Sequence, residues 1–203
     1  MNKKDKKVSK REENKKNNRS IIIKAGIEIF LKKGISQTTV RDIIRNTDLA
    51  SGTFYNYFKS KEEVLIAALD ESAIEIGQEL RSRRKKAKNL EEFVYSQIRP
   101  FFEFAKDHSE LFMIMSSNLN DVKAFSLETP MMTIELESLK EDIIIGIEEK
   151  ILPDVNPDYF CSVIQSVAEG IAFSLVRKKI SDEDIDAAVK FCTSFIVAGI
   201  RSV

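Results

Sequence analysis

The chain has 203 residues, of which 43% are hydrophobic and 32% charged, a composition typical of a globular protein with one sizeable core or two modest domains. It contains no run of 18 or more apolar residues, and no apolar stretch follows the N-terminal lysines. A bilayer span, a membrane partner and a secretory signal are therefore not expected, and the predicted location is the cytoplasm.

The net charge of zero hides a division along the chain. Residues 1–61 carry 16 Lys and Arg against 6 Asp and Glu, a net of +10, so the remaining residues carry a net of −10. A basic front end predicts attraction to phosphates. Charge alone does not separate nucleic acid from an anionic membrane surface.

The first 19 residues are polar and basic. They contain nine Lys and Arg and a single aliphatic residue, Val8. Such a segment cannot bury an apolar face, so residues 1–19 are predicted to form a mobile basic arm. The composition fits equally a tail that only increases solubility and an arm that contacts DNA.

Three helices are predicted after the arm. Apolar residues from Ile22 to Phe30 recur at three-to-four spacing, which indicates an amphipathic helix ending near Gly34. A second, short helix begins in TTVRDII, where Thr39 and Asp42 have the spacing of a capping box. After a turn at residues 47–50, the string SGTFYNYF is predicted to form a third short helix.

The third helix has an unusual outward face. Phe54 and Phe58 lie four residues apart and can share a small core with the preceding helices, so Gly52 and Asn56 are expected to point away from that core. An ordinary solvated face more often carries Glu and Lys. A glycine that removes bulk beside an amide able to pair with an adenine edge predicts close approach to a DNA groove.

Hydroxyl and ammonium groups surround this face. Tyr55, Tyr57 and Thr39 could donate to phosphate oxygens, while Lys61 could combine its charge with free backbone amides at the start of the fourth helix. The alternative for the tyrosines is packing against the fourth helix, which is expected for Tyr55.

The rest of the chain also has helical patterns, and no alternating strand pattern occurs, so the predicted fold class is all-α. The fourth helix is expected from Ser60 to about Arg84. RSRRKK, residues 81–86, either complements its C-terminal dipole or forms a second nucleic-acid patch. Later helices are expected at Asn89–His108 with a kink at Pro100, Ser109–Asn118, Leu127–Leu152, Pro157–Lys179 and Ser181–Arg201.

From Ile21 to Leu65 the chain resembles the DNA-binding signature of the TetR/AcrR transcription regulators, in the strings TTVRDII and SGTFYNYFKSKEEVL. The resemblance implies a helix-turn-helix domain, assigned to residues 20–65, and a C-terminal helical domain for ligand binding and dimerisation, assigned to residues 66–203. Asp48 stands where the family usually has glycine and Ala50 where it often has a capping serine, so slight strain is expected in the turn. By position, the resemblance assigns DNA contacts to Thr39, Ser51, Thr53, Tyr55, Asn56, Tyr57 and Lys61.

The last two predicted helices are apolar on more than one side, which indicates burial on more than one side. In the family such helices form a four-helix interface between two subunits. A palindromic operator also requires two reading helices about 34 Å apart, which one chain cannot supply. A homodimer on double-stranded DNA is therefore expected.

Between these regions lies an apolar group rich in Phe and Met. It could be ordinary core, or it could line a pocket for a small-molecule effector, since thioethers adapt to varied shapes. The polar stripe Ser162, Gln165, Ser166 and Glu169 could face water, or it could face that pocket and favour a cationic or hydrogen-bonding ligand. The predicted ligand-binding residues are Phe102, Phe104, Phe112, Met115, Met131, Gln165 and Glu169.

Signals for catalysis or cofactors are weak. Cys161 and Cys192 are isolated in apolar stretches and are predicted to be buried thiols. The single histidine, His108, is expected to cap a helix or to interact with its dipole. No metal site, cofactor or catalytic residue is predicted. The leading hypothesis is a repressor released from its operator by a small molecule. The alternatives are a ligand-independent architectural DNA-binding protein and an all-α enzyme with an accessory DNA reader.

Overall fold

The structure, a computed structural model, describes residues 3–117 and 129–202. Every regular element in these ranges is a helix, which confirms the all-α prediction, and no described helix has the length and apolar content needed to cross a membrane. Asn118 and Leu127, two predicted helix ends, lie outside the described residues. The elements are α1 Lys3–Lys33, α2 Val40–Arg45, a 3₁₀ helix Ser51–Asn56, α3 Lys61–Arg84, α4 Leu90–Asp107, α5 Ser109–Ser117, α6 Pro130–Glu148, α7 Pro157–Leu175 and α8 Asp182–Ile200.

Helix starts follow the capping residues read from the sequence. Thr39 and Asp42 form a reciprocal capping box at α2, and Ser181 and Asp184 form another at α8. Pro157 occupies the first turn of α7, where its missing N–H costs nothing. These three predicted starts are confirmed because each depends on a side chain adjacent to the backbone groups that it satisfies.

The helix predicted in SGTFYNYF is a 3₁₀ helix rather than an α-helix. The Thr53 N–H donates to the carbonyl of Ala50 at 2.8 Å, and the Tyr57 N–H donates to that of Phe54 at 2.9 Å, which are both i to i−3 bonds. With three residues per turn instead of 3.6, side chains three apart eclipse one another. This geometry changes which residues share the outward face.

Residues 3–19 are helical rather than irregular, because α1 begins at Lys3. The later part of α1 is anchored by buried side chains such as Ile22 and Phe30. Adding residues to an existing helix is far less costly than nucleating one, so a polar segment can extend a helix that is already anchored. The mobility predicted for this segment stays a prediction.

The described residues form two compact units that divide between Leu69 and Asp70, inside α3. In the first unit Ile22, Phe30, Ile43 and Phe54 are at most 1% exposed. The second unit has a larger apolar core, to which α4, α6, α7 and α8 contribute. Its most buried large side chains are Ile98, Phe102, Ile143, Phe160 and Ile164.

Candidate nucleic-acid interface

The start of α2 is held by a network around Asp42. The Thr39 hydroxyl donates to Asp42 Oδ2 at 2.7 Å, and the Lys33 ammonium lies 2.7 Å from Asp42 Oδ1. The Lys33 bond, followed by the bonds from Thr39, holds the pKa of Asp42 well below its ordinary value. Thr39 is nevertheless exposed, so its hydroxyl lies at the surface with its position fixed by a carboxylate that stays ionised.

The 3₁₀ helix separates an apolar side from a polar one. Phe54 is 0% and Phe58 is 4% exposed, whereas Gly52 and Asn56 are exposed, as their spacing predicted. A Cβ built on Gly52 would meet nothing within 4 Å, and Gly52 does not have a positive φ. Neither packing nor backbone conformation within this chain therefore requires glycine at position 52. A requirement for glycine would have to come from a partner that approaches this surface.

Tyr55 and Tyr57 differ in exposure, and the exposure of Tyr55 differs from the prediction. Tyr55 was predicted to pack against the fourth helix, and this is wrong: its side chain is 66% exposed, with one ring edge against Phe54. The 3₁₀ geometry explains the difference, because Tyr55 follows Gly52 by three residues and therefore shares its outward side. Tyr57 is half-buried, and its hydroxyl accepts a hydrogen bond from the Asn18 amide at 3.3 Å.

Lys61, expected at the phosphates, directs its ammonium at the protein backbone. The Nζ donates to the carbonyls of Ile35, Ser36 and Thr38 at 2.7, 3.0 and 2.8 Å. The start of α3 is thereby tied to the loop between α1 and α2. The three ammonium hydrogens are used within the protein, and a direct phosphate contact stays a prediction.

The turn before the 3₁₀ helix is relaxed. Asp48 does not have a positive φ, so the strain expected from an aspartate at this position is absent. Ala50 precedes the 3₁₀ helix in an extended conformation and supplies no side-chain cap. Ser51 is exposed and Thr53 half-buried, so both lie on or beside the polar surface of the 3₁₀ helix.

Residues 22–68 match the sequence model of the bacterial regulatory proteins of the tetR family, a range that contains α2, the 3₁₀ helix and the start of α3. YerO, a helix-turn-helix transcriptional regulator of Bacillus subtilis, is 25% identical over 190 residues, or 87% of this chain and 61% of the relative. The helix-turn-helix segment of this chain, residues 22–68, therefore belongs to the tetR family. The chain spans only about three fifths of the length of that relative.

Solved structures show the same fold beyond the helix-turn-helix. The fatty acid degradation regulator FadR of Bacillus halodurans has a TM-score of 0.75 at 22% identity, covering 88% of this chain and 93% of that one. FadR of Bacillus subtilis, solved in complex with stearoyl-CoA, has a TM-score of 0.76 at 21% identity, covering 89% and 98%. The helical second unit of this chain therefore has the same fold as the corresponding part of those structures.

The predicted ligand residues lie in the second unit. Phe102 is 0%, Phe112 7% and Phe104 9% exposed, and Phe112 makes edge-on contacts with Phe104 and Phe173. Met115 and Met131 are half-buried. A cavity of about 250 Å³ lies elsewhere in this unit, and none of the predicted ligand residues lines it.

The polar stripe of α7 divides into two pairs. Ser162 and Ser166 are exposed, whereas Gln165 and Glu169 are half-buried and joined by a 3.0 Å hydrogen bond from Gln165 Nε2 to Glu169 Oε1. Burial raises the pKa of Glu169, and the bond from Gln165 opposes that rise. The four residues of the stripe therefore differ in environment, because the serines are exposed to water and the other pair is half-buried.

Arg84, part of the basic run RSRRKK and the last residue of α3, is buried. Its side chain is 1% exposed, Nε donates to Asp142 Oδ2 at 2.7 Å, and Nη1 donates to Gln97 Oε1 at 2.8 Å. Both partners are on other helices, so no local signal in RSRRKK identified them. Arg84 therefore lies at the end of the fourth helix, as predicted, but is not part of a surface nucleic-acid patch.

The cysteines and the histidine have structural positions. Cys161 and Cys192 are buried, and burial raises the pKa of both thiols. His108 caps α4 through its backbone N–H, and its ring stacks on Phe104 with centroids 4.0 Å apart. Within residues 3–117 and 129–202, no group of His, Cys, Asp and Glu could hold a metal ion.

Large apolar side chains are exposed on the last two helices. On α8, Phe191 is 62% and Phe195 60% exposed, and their rings stack with centroids 6.0 Å apart. On α7, Tyr159 is 74% and Val163 40% exposed. The predicted apolar helices are thus buried on one side and open on another.

Proposed function

We propose that this tetR-family chain is a homodimeric transcriptional repressor that binds a palindromic DNA operator and is released by a small-molecule effector. The observation that carries the proposal is the exposed surface formed by Gly52, Tyr55 and Asn56 above buried Phe54 and Phe58. A small, uncharged surface with an amide suits the base edges of a major groove. Ser51 and Thr53 of the 3₁₀ helix and Thr39 at the start of α2 supply hydroxyl groups for phosphate contacts that position the protein.

The dimer is supported by the exposed rings of Phe191 and Phe195 beside the small residues Ala198 and Gly199, which are also exposed. A Cβ on Gly199 would meet nothing within 4 Å in this chain, so glycine leaves room for a close neighbour. Exposed aromatic side chains are costly in a monomer and are enriched at the centre of protein interfaces. A second copy would bury them and supply the second reading helix.

For the effector, the first class to test is a long-chain acyl-CoA. The FadR of Bacillus subtilis was solved with stearoyl-CoA, and the Phe and Met residues predicted as ligand-binding offer apolar, adaptable walls for an acyl chain. Glu169 favours a different class, a cationic or hydrogen-bonding ligand. A Glu169→Gln variant separates the two classes, because its affinity for stearoyl-CoA should be unchanged while its affinity for a cation should fall.

Release requires the effector to prefer a conformation that does not fit the operator. Moving a population from 99:1 to 1:99 takes a differential affinity of about 5.5 kcal/mol. The helix α3 contributes Lys61 to Leu69 to the first unit and its remainder to the second, so a change at either end acts on one continuous helix. This is the element that we propose couples the two functions.

The DNA-binding proposal is tested by selection of duplexes from a random pool with the full chain. The expected result is enrichment of an inverted repeat. Binding to the selected duplex should weaken with salt by about 0.9 log units per log unit of salt for each neutralised phosphate. Failure to enrich any sequence with folded, dimeric protein would overturn the proposal.

The alternative, a ligand-independent architectural protein, is favoured by the full burial of Phe102 in the core and by the cavity of about 250 Å³, whose lining contains none of the predicted ligand residues. Thermal unfolding with stearoyl-CoA, with and without the selected duplex, separates the two. A repressor released by that ligand gains stability from it and loses the duplex, whereas an architectural protein shows neither change. An all-α enzyme with an accessory reader would instead consume the thioester.

A further inference from the structure

The first turns of α1 present basic side chains on a defined face. At 100° per residue, Arg11 and Lys15 lie within about 60° of Asn18 around the helix axis, whereas Lys16 lies about 160° away. Glu12 and Glu13 also lie more than about 100° from Asn18. The Asn18 side of the helix is therefore basic. Glu12 lies beside Arg19, at the edge of that side, and Glu13 lies on the opposite side.

Two contacts fix how this part of α1 is rotated within the first unit. The Asn18 amide donates to the Tyr57 hydroxyl at 3.3 Å, and the Arg19 guanidinium lies 5.4 Å from the centroid of the Phe58 ring. Tyr57 and Phe58 directly follow the 3₁₀ helix that carries Gly52 and Asn56. These contacts hold the basic face of α1 toward Tyr57 and Phe58, at the end of the 3₁₀ helix.

The basic side chains are available to a partner. Every residue from Lys10 to Asn17 is exposed, and half-burial begins at Asn18. Residues 3–17 of α1 extend about 22 Å at 1.5 Å per residue. Phosphates recur about every 3.4 Å along one strand of a duplex, so this length spans several of them.

We propose that Arg11 and Lys15, on the Asn18 side of α1, bind the phosphate backbone of duplex DNA next to the bases read by the 3₁₀ helix. This inference rests on the proposed function, because it requires that the 3₁₀ helix binds DNA. It goes further by adding a contact surface outside residues 22–68, the range that matches the family. An ordered helix carries these charges, so the effect of each lysine depends on its face and not only on its charge.

The chain offers a matched pair of variants, Lys15→Gln and Lys16→Gln. Both residues are exposed lysines in neighbouring positions of the same helix, and they differ in the face that they occupy. The affinity of each full-length variant for the selected duplex is measured over a range of salt concentrations. Lys15→Gln should lower the slope of log affinity against log salt by about 0.9 and the double variant Arg11→Gln/Lys15→Gln by about 1.8, while Lys16→Gln leaves it unchanged.

The other outcomes are separable. If the wild-type chain binds no duplex, the proposed function fails. If the wild type binds and Lys15→Gln keeps the wild-type slope, only the present inference fails. Equal losses for Lys15→Gln and Lys16→Gln would show a face-independent basic tail and overturn it as well. Binding to phosphatidylserine vesicles tests the remaining alternative. If vesicle binding depends on Lys15 while the slope of log DNA affinity against log salt is unchanged, this face binds an anionic membrane surface instead.

Discussion

The two units of the chain expose and bury opposite kinds of side chain. In the first unit the exposed surface around Gly52 and Asn56 is small and able to form hydrogen bonds, above buried phenylalanines. In the second unit the stacked Phe191 and Phe195 are exposed, while the charged Arg84 is buried. Groups that a fold leaves exposed without an internal reason indicate the chemistry of the partner. Here they support the two partners that we propose, base edges for the first unit and an apolar protein surface for the second.

The largest expected effect concerns the buried charge of the second unit. Arg84→Met should destabilise that unit by about 3–5 kcal/mol, because Asp142 then loses its guanidinium partner where the carboxylate is only partly solvated. Denaturant unfolding measures the loss. The double variant Arg84→Met/Asp142→Leu should recover much of it. A single variant as stable as the wild type would show that the buried ion pair does not hold these helices together.

The next effect tests the apolar surface. Phe191→Glu should weaken dimerisation by about 2–4 kcal/mol, since exposed aromatics at the centre of an interface act as hot spots. Sedimentation measures the dimer, and Lys190→Ala, a neighbouring exposed residue, is the control. Unchanged dimerisation of the Phe191 variant would remove this surface from the interface and with it the proposed partner of the second unit.

The polar surface of the first unit gives a smaller expected change. Asn56→Ala should cost about 1–3 kcal/mol on the selected duplex and relax the preference at one base position, because a bidentate amide contact is lost. Repeating the selection with the variant measures both. Equal weakening on every duplex would mean that Asn56 contacts only the backbone.

Two glycines of the first unit distinguish a glycine that packing within the chain requires from one that a DNA partner would require. A Cβ on Gly26 would lie 2.6 Å from Val64 Cγ1, whereas one on Gly52 would meet nothing within 4 Å. Gly26→Ala should therefore lower stability by about 1–3 kcal/mol through overpacking. Gly52→Ala should keep or slightly raise stability, since alanine is the better helix former, and yet weaken DNA binding. Full DNA affinity in a stable Gly52→Ala chain would contradict a groove-facing role.

The smallest effect concerns the half-buried Glu169. Its folded-state pKa is raised by burial, so the folded state binds the proton more tightly than the unfolded one and stability declines as pH rises from the ordinary value of 4.5 through the folded value. Glu169→Gln removes this decline. Thermal unfolding should find the variant more stable than the wild type at neutral pH and no more stable at low pH. A wild-type advantage at neutral pH would mean that the carboxylate is stabilised as an anion.

Local signals in the sequence located the helices because caps and periodicity act over a few residues. Thr39 with Asp42 and Ser181 with Asp184 marked helix starts, and the burial of Phe54 and Phe58 followed from their spacing. The exposure of Tyr55 could not be predicted from its spacing. A six-residue segment can adopt 3₁₀ or α geometry, and the surrounding structure decides between them.

Long-range contacts could not be predicted from the sequence, because its local signals act over only a few residues. The partner of Arg84, Asp142, is 58 residues away, and the three carbonyls that hold Lys61 lie 23 to 26 residues before it. Nothing within RSRRKK or the start of α3 distinguishes these side chains from solvated neighbours. Position in a family pattern suggested a role for Lys61 without indicating its internal bonds.

The most direct measurement for the central claim is a footprint of the wild-type dimer on its selected duplex. Two reading surfaces with Gly52 and Asn56 at their centres should protect symmetric half-sites about one helical turn, 34 Å, or a multiple of it apart. Protection of a single half-site, or uniform protection without symmetry, would contradict paired base reading by the 3₁₀ helices.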